Sequence, residues 1–285
     1  MSTIRLENIT YIYNKHTPYA TVALDQVNLT ISNDGITGLI GHTGSGKSTM
    51  VQLFNGLIKP TEGNVYIDEV NIWAEPKKIR NVRFKAGLVM QYPEHQLFAE
   101  TVEEDISFGP RNMGLSGDEL KERVMDALRF SGLSSELLKK SPFELSGGQK
   151  RRVALAGVIA MRPEILILDE PAAGLDPGGR RDILSKIKQF ARECGTNVII
   201  VSHSMEDMAM YCDDLVVMAG GKVLMHAPTA EVFTRYTELL DVGLDVPEIT
   251  RIASALCERG VDIGRDIYTV NYASEKLAAH ISPGI

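Results

Sequence analysis

The chain's 285 residues, 44% hydrophobic and 24% charged, suit a soluble globular protein of one large domain plus an appendage and exclude a disordered chain. A formal net charge of -7 argues against nucleic acid as a partner, and three widely spaced cysteines, Cys194, Cys212 and Cys257, with no CxxC pair, argue against a disulfide framework or a zinc site and fit a reducing cytosol. No apolar run approaches the roughly 18 to 20 residues of a membrane helix, and "MSTIRLENIT" has neither the apolar core nor the cleavage site of a signal peptide.

In chain order, residues 4–13 ("IRLENITYIY") and 24–31 ("LDQVNLTI") alternate apolar and polar positions, the mark of half-buried antiparallel strands. "ITGLIG" (36–41), "AGLVM" (86–90), "ILIL" (165–168) and "NVIIV" (197–201) are short unbroken apolar runs, as expected of parallel strands covered on both faces. Helical segments lie between them, so the chain reads as an α/β fold whose ligands sit in the turns after the buried strands. Residues 95–162 carry no buried-strand run and read as a helical subdomain inserted into the sheet domain; within it 117–130 places Leu120, Val124, Ala127 and Leu128 on one face, to pack its own subdomain. "LVVMAGGKVLMH" (215–226) reads as a closing hairpin. Beyond about residue 230, Val246, Ile249, Ile252 and Leu256 recur at helical spacing in a small appendage.

The chemistry sits at the strand ends. "GHTGSGKST" follows a buried strand and precedes a helical segment, satisfying G-x-x-x-x-G-K-[ST] in the context that motif requires. Gly41, His42, Thr43, Gly44, Ser45, Gly46 and Thr49 form the loop whose amides curl around the β- and γ-phosphates; Lys47 adds charge and Ser48 offers a hydroxyl to Mg²⁺. "EILILDEP" delivers Asp169, to hold Mg²⁺ through water, and Glu170, to orient or deprotonate the attacking water. Gln91, after "GLVM", is placed to ligate Mg²⁺ or water, and His203, after "NVIIVS", to contact a γ-phosphate oxygen. A nucleoside triphosphate is the expected ligand.

"ELSGGQKRR" (144–152) raises a separate question. Ser146 and Gln149 fit a capping box, which explains those two residues and nothing else. Gly147 and Gly148 each cost roughly 1 kcal/mol in a helix. Lys150, Arg151 and Arg152 crowd the positive end of the helix dipole. Both faults make sense if the helix start must approach an anion, with bare glycines allowing contact and the cations adding field.

Together these residues resemble the ATP-binding subunits of ABC transporters. "GHTGSGKST" looks like the Walker A motif, "LSGGQ" (145–149) the family signature, "ILILDE" Walker B, "AGLD" (173–176) the D-loop with Asp176, and "SH" (202–203) the switch histidine, all in the family's order. By the same resemblance Gln91 is the Q-loop glutamine and Tyr13 the aromatic that stacks on adenine. The likeness spans roughly residues 4–230 and implies a P-loop NTPase parallel sheet with an antiparallel β subdomain, an inserted helical subdomain at about 95–162 and, at 231–285, a C-terminal appendage. It also implies ATP and Mg²⁺ as cofactors and a head-to-tail dimer. In that dimer Ser146, Gly147, Gly148 and Gln149 close over the nucleotide of the partner's P-loop.

"QYPEHQLFAETVEEDISFGPRNMGLS" (91–116) is similar to the ATPases of energy-coupling-factor (ECF) importers of vitamins or of cobalt and nickel ions, and so is the appendage. That likeness implies a peripheral protein on the cytoplasmic side of the cell membrane, with a second ATPase subunit, paralogous or identical, a transmembrane coupling protein and a substrate-binding membrane protein as partners. "RRVALAGVIAMRPEILILDEPAAGLDP" looks slightly more like the second of the paired subunits. One departure from the family pattern is Ala172, where threonine is common, at a position that is not catalytic. The appendage reads either as a helical cap on the sheet domain's edge or as a dimerisation element, and the resemblance favours the second. The rivals are a soluble superfamily ATPase, opposed by the acidic charge and the stretch after Gln91, and a P-loop kinase, opposed by "LSGGQ" followed by "ILILDE".

Overall fold

The computed structural model describes residues 2–32, 35–261, 263–264 and 266–281. In chain order its first elements are β1 (Ile4–Tyr13), β2 (Thr21–Ile31), β3 (Ile36–Gly41), α1 (Lys47–Phe54), β4 (Glu62–Ile67), β5 (Val70–Asn71), α2 (Ile79–Lys85) and β6 (Ala86–Val89). Helices α3 (Val102–Asn112), α4 (Gly117–Ser131) and α5 (Gly147–Ile159) follow. Then come β7 (Ile165–Asp169), α6 (Pro177–Cys194), β8 (Asn197–Val201), α7 (Met205–Tyr211), β9 (Asp214–Ala219) and β10 (Lys222–Pro228). Four helices close the chain: α8 (Thr229–Thr234), α9 (Tyr236–Asp241), α10 (Glu248–Glu258) and α11 (Val270–Ile281).

Two sheets carry the fold. The larger runs β10-β9-β3-β8-β7-β6, parallel from β9 to β6 with β10 antiparallel at its edge; the smaller runs β2-β1-β4-β5 and is antiparallel. The unbroken apolar runs are explained by two cores, one on each face of the larger sheet. Along β7, Leu166 and Leu168 join the core that contains Val124, Ala127 and Leu128 of α4 and Val153 and Ala156 of α5. Ile165 and Ile167 join the core shared with Ile4, Leu6 and Leu29 of the smaller sheet and with Met50 and Phe54 of α1. Each such side chain contributes about 1.5–3 kcal/mol by leaving water, and no position along the run faces solvent.

The sequence pattern fails at two places. In β1, Asn8 adopts φ 48° and the register with β2 shifts between Leu6 and Ile9, so Ile9 and Thr10 are buried in succession. A bulge there breaks the period of two. In α10 the buried residues are Thr250, Ala253 and Ser254, whereas Ile252 is 47% exposed. The apolar stripe expected on that helix is therefore split, with Val246 buried in the main core ahead of the helix and Ile249 and Leu256 partly buried beside Ala253. Among the described residues no helix is long and apolar enough to cross a membrane.

Candidate functional site

The loop after β3 owes its shape to its glycines. Gly46 has φ 104°, and a Cβ there would stand 2.6 Å from the Ala23 carbonyl oxygen of β2. A Cβ on Gly41 would stand 2.4 Å from Ser45 Oγ and 2.6 Å from the Met218 carbonyl oxygen of β9. Only glycine allows the loop to nest between the two sheets. The Gly221 amide in the β9–β10 turn donates to the Ser45 carbonyl (3.2 Å) and holds the loop from behind. Helix α1 then opens with no side-chain cap and no acid in its first turn, which suits its N-terminal amides and dipole to an anion.

A cavity of about 440 Å³ lies over this loop. Among the expected site residues, Tyr13, Thr43, Gly44, Gly46, Lys47, Ser48, Thr49, Gln91, Asp169, Glu170 and His203 line it. Gly41 and Ser45 are buried behind the loop, and His42 is exposed, its Nδ1 2.8 Å from the Thr43 carbonyl oxygen. Thr21, Val22, Ala23 and Val201 also line the cavity. No motif marks them in the sequence; β2 and β8 bring them there.

Lys47 is buried and donates from Nζ to the carbonyl oxygens of Gly41 (2.6 Å) and His42 (3.0 Å). Burial lowers its pKa, opposed by Glu170 and then Asp169. Burial likewise raises Asp169, against the pull of Lys47. Glu170 is pushed up to about 7, first by burial and next by Asp169, despite a backbone hydrogen bond from His203 and the charges of Lys47 and Arg180. Its backbone sits at φ 53°, in the left-handed region, fixed by donation of its amide to the Val201 carbonyl at 3.0 Å. His203 Nε2 stands 3.5 Å from Glu170 Oε1, an ion-pair distance without hydrogen-bond geometry, and Glu170 Oε1 is buried with no hydrogen-bond partner. Burial and Lys47 hold the His203 imidazole below its ordinary value, neutral at pH 7. Tyr13 is part of the cavity lining, its hydroxyl 3.1 Å from Thr49 Oγ1.

The signature residues are not part of this cavity. Ser146 and Gln149 do form the capping box: the Ser146 amide donates to Gln149 Oε1 (3.1 Å) and the Gln149 amide to Ser146 Oγ (3.3 Å). Open space lies over Gly147, with nothing within 4 Å of an added Cβ. Two of the following cations do not face an anion there. Arg151 is buried and bonds Glu94 and the Ala173 carbonyl, and Arg152 bonds the Ser131 carbonyl (2.9 Å) and Asp182 (2.7 Å). Expecting all three to add field at the helix start was therefore wrong, because helical spacing turns two of them back into their own chain. Asp176 also lies outside the cavity. It caps α6, accepting from the amides of Gly178 (2.9 Å) and Gly179 (3.0 Å), which hold its carboxyl below the usual range.

A glycine loop between strand and uncapped helix, a buried lysine, and two carboxylates at the end of the neighbouring strand define a P-loop nucleoside triphosphatase. The family model described as ABC transporter matches residues 24–173. The energy-coupling factor transporter ATP-binding protein EcfA2 of Caldanaerobacter subterraneus subsp. tengcongensis is 51% identical over 278 residues, 98% of this chain and 97% of that protein. EcfA2 of Listeria monocytogenes is 45% identical over 285 residues, 99% of each. Among solved structures, cbiO1 from Clostridium perfringens, described as part of the ABC transporter complex cbiONQ, superposes with a TM-score of 0.75 at 38% identity, over 90% of this chain and 98% of that one. The ATP-binding cassette MJ0796, solved as a dimer in a post-hydrolysis state with ADP and Pi, gives 0.71 at 30% identity over 79% and 98%. The chain belongs to the ABC transporter family and, within it, to the energy-coupling factor ATP-binding proteins. It is an ATP-hydrolysing subunit of the ECF importer type.

Proposed function

We propose that this subunit closes head to tail with a second ATPase subunit, a paralog or an identical chain, and that closure on ATP moves a transmembrane coupling protein during uptake of a vitamin or metal ion bound by a separate membrane protein. The observation that carries this reading is the separation of two anion-ready surfaces. One is the cavity around Lys47; the other is the uncovered start of α5 at Ser146, Gly147, Gly148 and Gln149. Each is half of a site, so the second half has to come from another chain. Residues 1–230 act as the nucleotide-binding domain, with the helical part at about 95–162, and 231–285 as the element that keeps the two ATPases together. A dimeric relative of the fold holds ADP and Pi, and cbiO1 is part of a multi-subunit transporter.

Within the cavity, Tyr13 stacks on the adenine, and the amides from Thr43 to Thr49, with Lys47, hold the phosphates. Ser48, Gln91 and Asp169 supply the hard oxygen donors that suit Mg²⁺. Among the described residues no cluster of three His, Cys, Asp or Glu side chains holds a metal alone, as fits an ion that takes most of its ligands from phosphate and water. The ion would neutralise charge between the β- and γ-phosphates. Glu170 accepts the proton of the attacking water, neutral His203 orients toward the γ-phosphate, and Asp176 stands at the partner's side of the closed dimer. Tyr92, Phe98 and Phe108, all more than half exposed, give the helical region an aromatic surface for the coupling protein. The subunit sits peripherally on the cytoplasmic face of the cell membrane and takes no nucleic acid. Gentle solubilisation of the native membranes and mass spectrometry of what copurifies tests the reading. A polytopic coupling protein with one or two ATPases supports it; recovery from the soluble fraction alone refutes it.

A further inference from the structure

Arg151 lies on α5 two residues after the signature glutamine and is 6% exposed. Its Nε and Nη2 donate to the two carboxylate oxygens of Glu94 at 3.2 and 3.1 Å, and its Nη1 donates to the Ala173 carbonyl. Those contacts join three segments. Glu94 is in the short turn Pro93–Gln96, three residues beyond Gln91, which lines the nucleotide cavity. Ala173 is three residues beyond Glu170, and its amide donates to the Glu170 carbonyl at 3.2 Å. Ser146 to Gln149, at the start of the same helix as Arg151, are outside that cavity. Burial would raise the Glu94 carboxyl, and the Arg151 guanidinium outweighs it, so the pair is ionic. The planar, pre-organised guanidinium is thus held bidentately by Glu94 and at a third point by the Ala173 carbonyl.

We propose that Arg151, held by Glu94 and the Ala173 carbonyl, is a positioning residue that sets the pose of the signature helix according to the loops around this chain's own nucleotide, and so couples the two composite sites of the ATPase pair. When ATP draws Gln91 and Glu170 inward, the guanidinium carries α5 with them, and the start of α5 is presented to the partner's nucleotide. The proposal rests on the head-to-tail reading above. It adds that each site senses the other through a named ion pair, with no ligand contact by either residue.

The test uses the ATPase pair as isolated from its cell, carrying Glu170→Gln to prevent turnover, alone or with Glu94→Gln or Arg151→Lys. Glu94→Gln keeps the shape and one acceptor while removing the charge. Binding of a fluorescent ATP analogue to dilute protein reads the chain's own cavity; protection of the Gly147 and Gly148 amides from hydrogen exchange against ATP concentration reads closure. Both variants should bind the analogue within about twofold of the parent and need roughly tenfold more ATP for half-closure, in the range of measured site–site couplings. Closure at the parent's ATP concentration in both variants would make the pair merely structural and overturn the proposal. Failure of the parent itself to close with ATP would instead refute the head-to-tail reading, and the coupling with it.

Discussion

Glu170 Oε1 and His203 Nε2 face each other at 3.5 Å across the end of β7 and β8, and neither atom satisfies the other with a hydrogen bond. The carboxylate is thus kept short of partners beside Asp169, with its pKa near 7. That environment suits a group that must take a proton from water at neutral pH. Glu170→Gln should retain ATP binding and lose hydrolysis by roughly 10²–10⁴-fold, the usual worth of a positioned general base. Turnover within a few-fold of the parent would remove Glu170 from that role.

The same pKa sets a pH profile. As the base, Glu170 must be ionised, and kcat/KM reports the free enzyme, so kcat/KM should rise roughly tenfold between pH 6 and pH 8. Stability should move the opposite way. The folded chain keeps the Glu170 proton up to about 7 while the unfolded chain releases it near 4.5, so the folded state binds more protons in that window and this group's contribution falls as pH rises. Without nucleotide, Glu170→Gln should therefore unfold a few degrees higher than the parent at pH 8 and match it at pH 4. Thermal unfolding at the two pH values checks the sign.

Gly46→Ala tests the loop. At φ 104°, with the Ala23 carbonyl 2.6 Å from the new Cβ, the substitution meets both backbone strain and a clash against a strand. A cost of about 1–3 kcal/mol is expected from the strain, together with loss of nucleotide binding. Denaturant unfolding and a nucleotide titration measure the two effects.

Gly147→Ala separates fold from function. Open space surrounds the position, and alanine is the better helix former by about 1 kcal/mol. The variant should be at least as stable as the parent and bind nucleotide normally at its own cavity, while ATP turnover by the pair falls by at least roughly tenfold. Unchanged turnover would show that no anion approaches this helix start.

How much of this was legible beforehand depended on how local the cause was. The runs around Leu39, Ile167 and Ile199 announced central strands because burial on both faces leaves no polar positions. The phosphate loop was legible because glycines such as Gly46 answer a backbone demand made within a few residues. Strand β4 was not: Glu62, Gly63 and Asn64 are exposed, and pairing with β1 along its length and with β5 at its end makes it a strand. Ile252 misled because spacing gives a helical face but not what covers it. Arg151 was misassigned for a related reason, since its partner Glu94 is 57 residues away and no local pattern connects them.

Hydrogen exchange in the intact complex carrying Glu170→Gln, with and without ATP, tests the central claim, that each nucleotide is enclosed by the loop of one chain and the signature helix of another. The account expects the amides of residues 43–49 and those of Gly147 and Gly148 to gain protection together, although the two segments do not share a cavity in one chain. Protection of 43–49 with no change at Gly147 and Gly148 would contradict it.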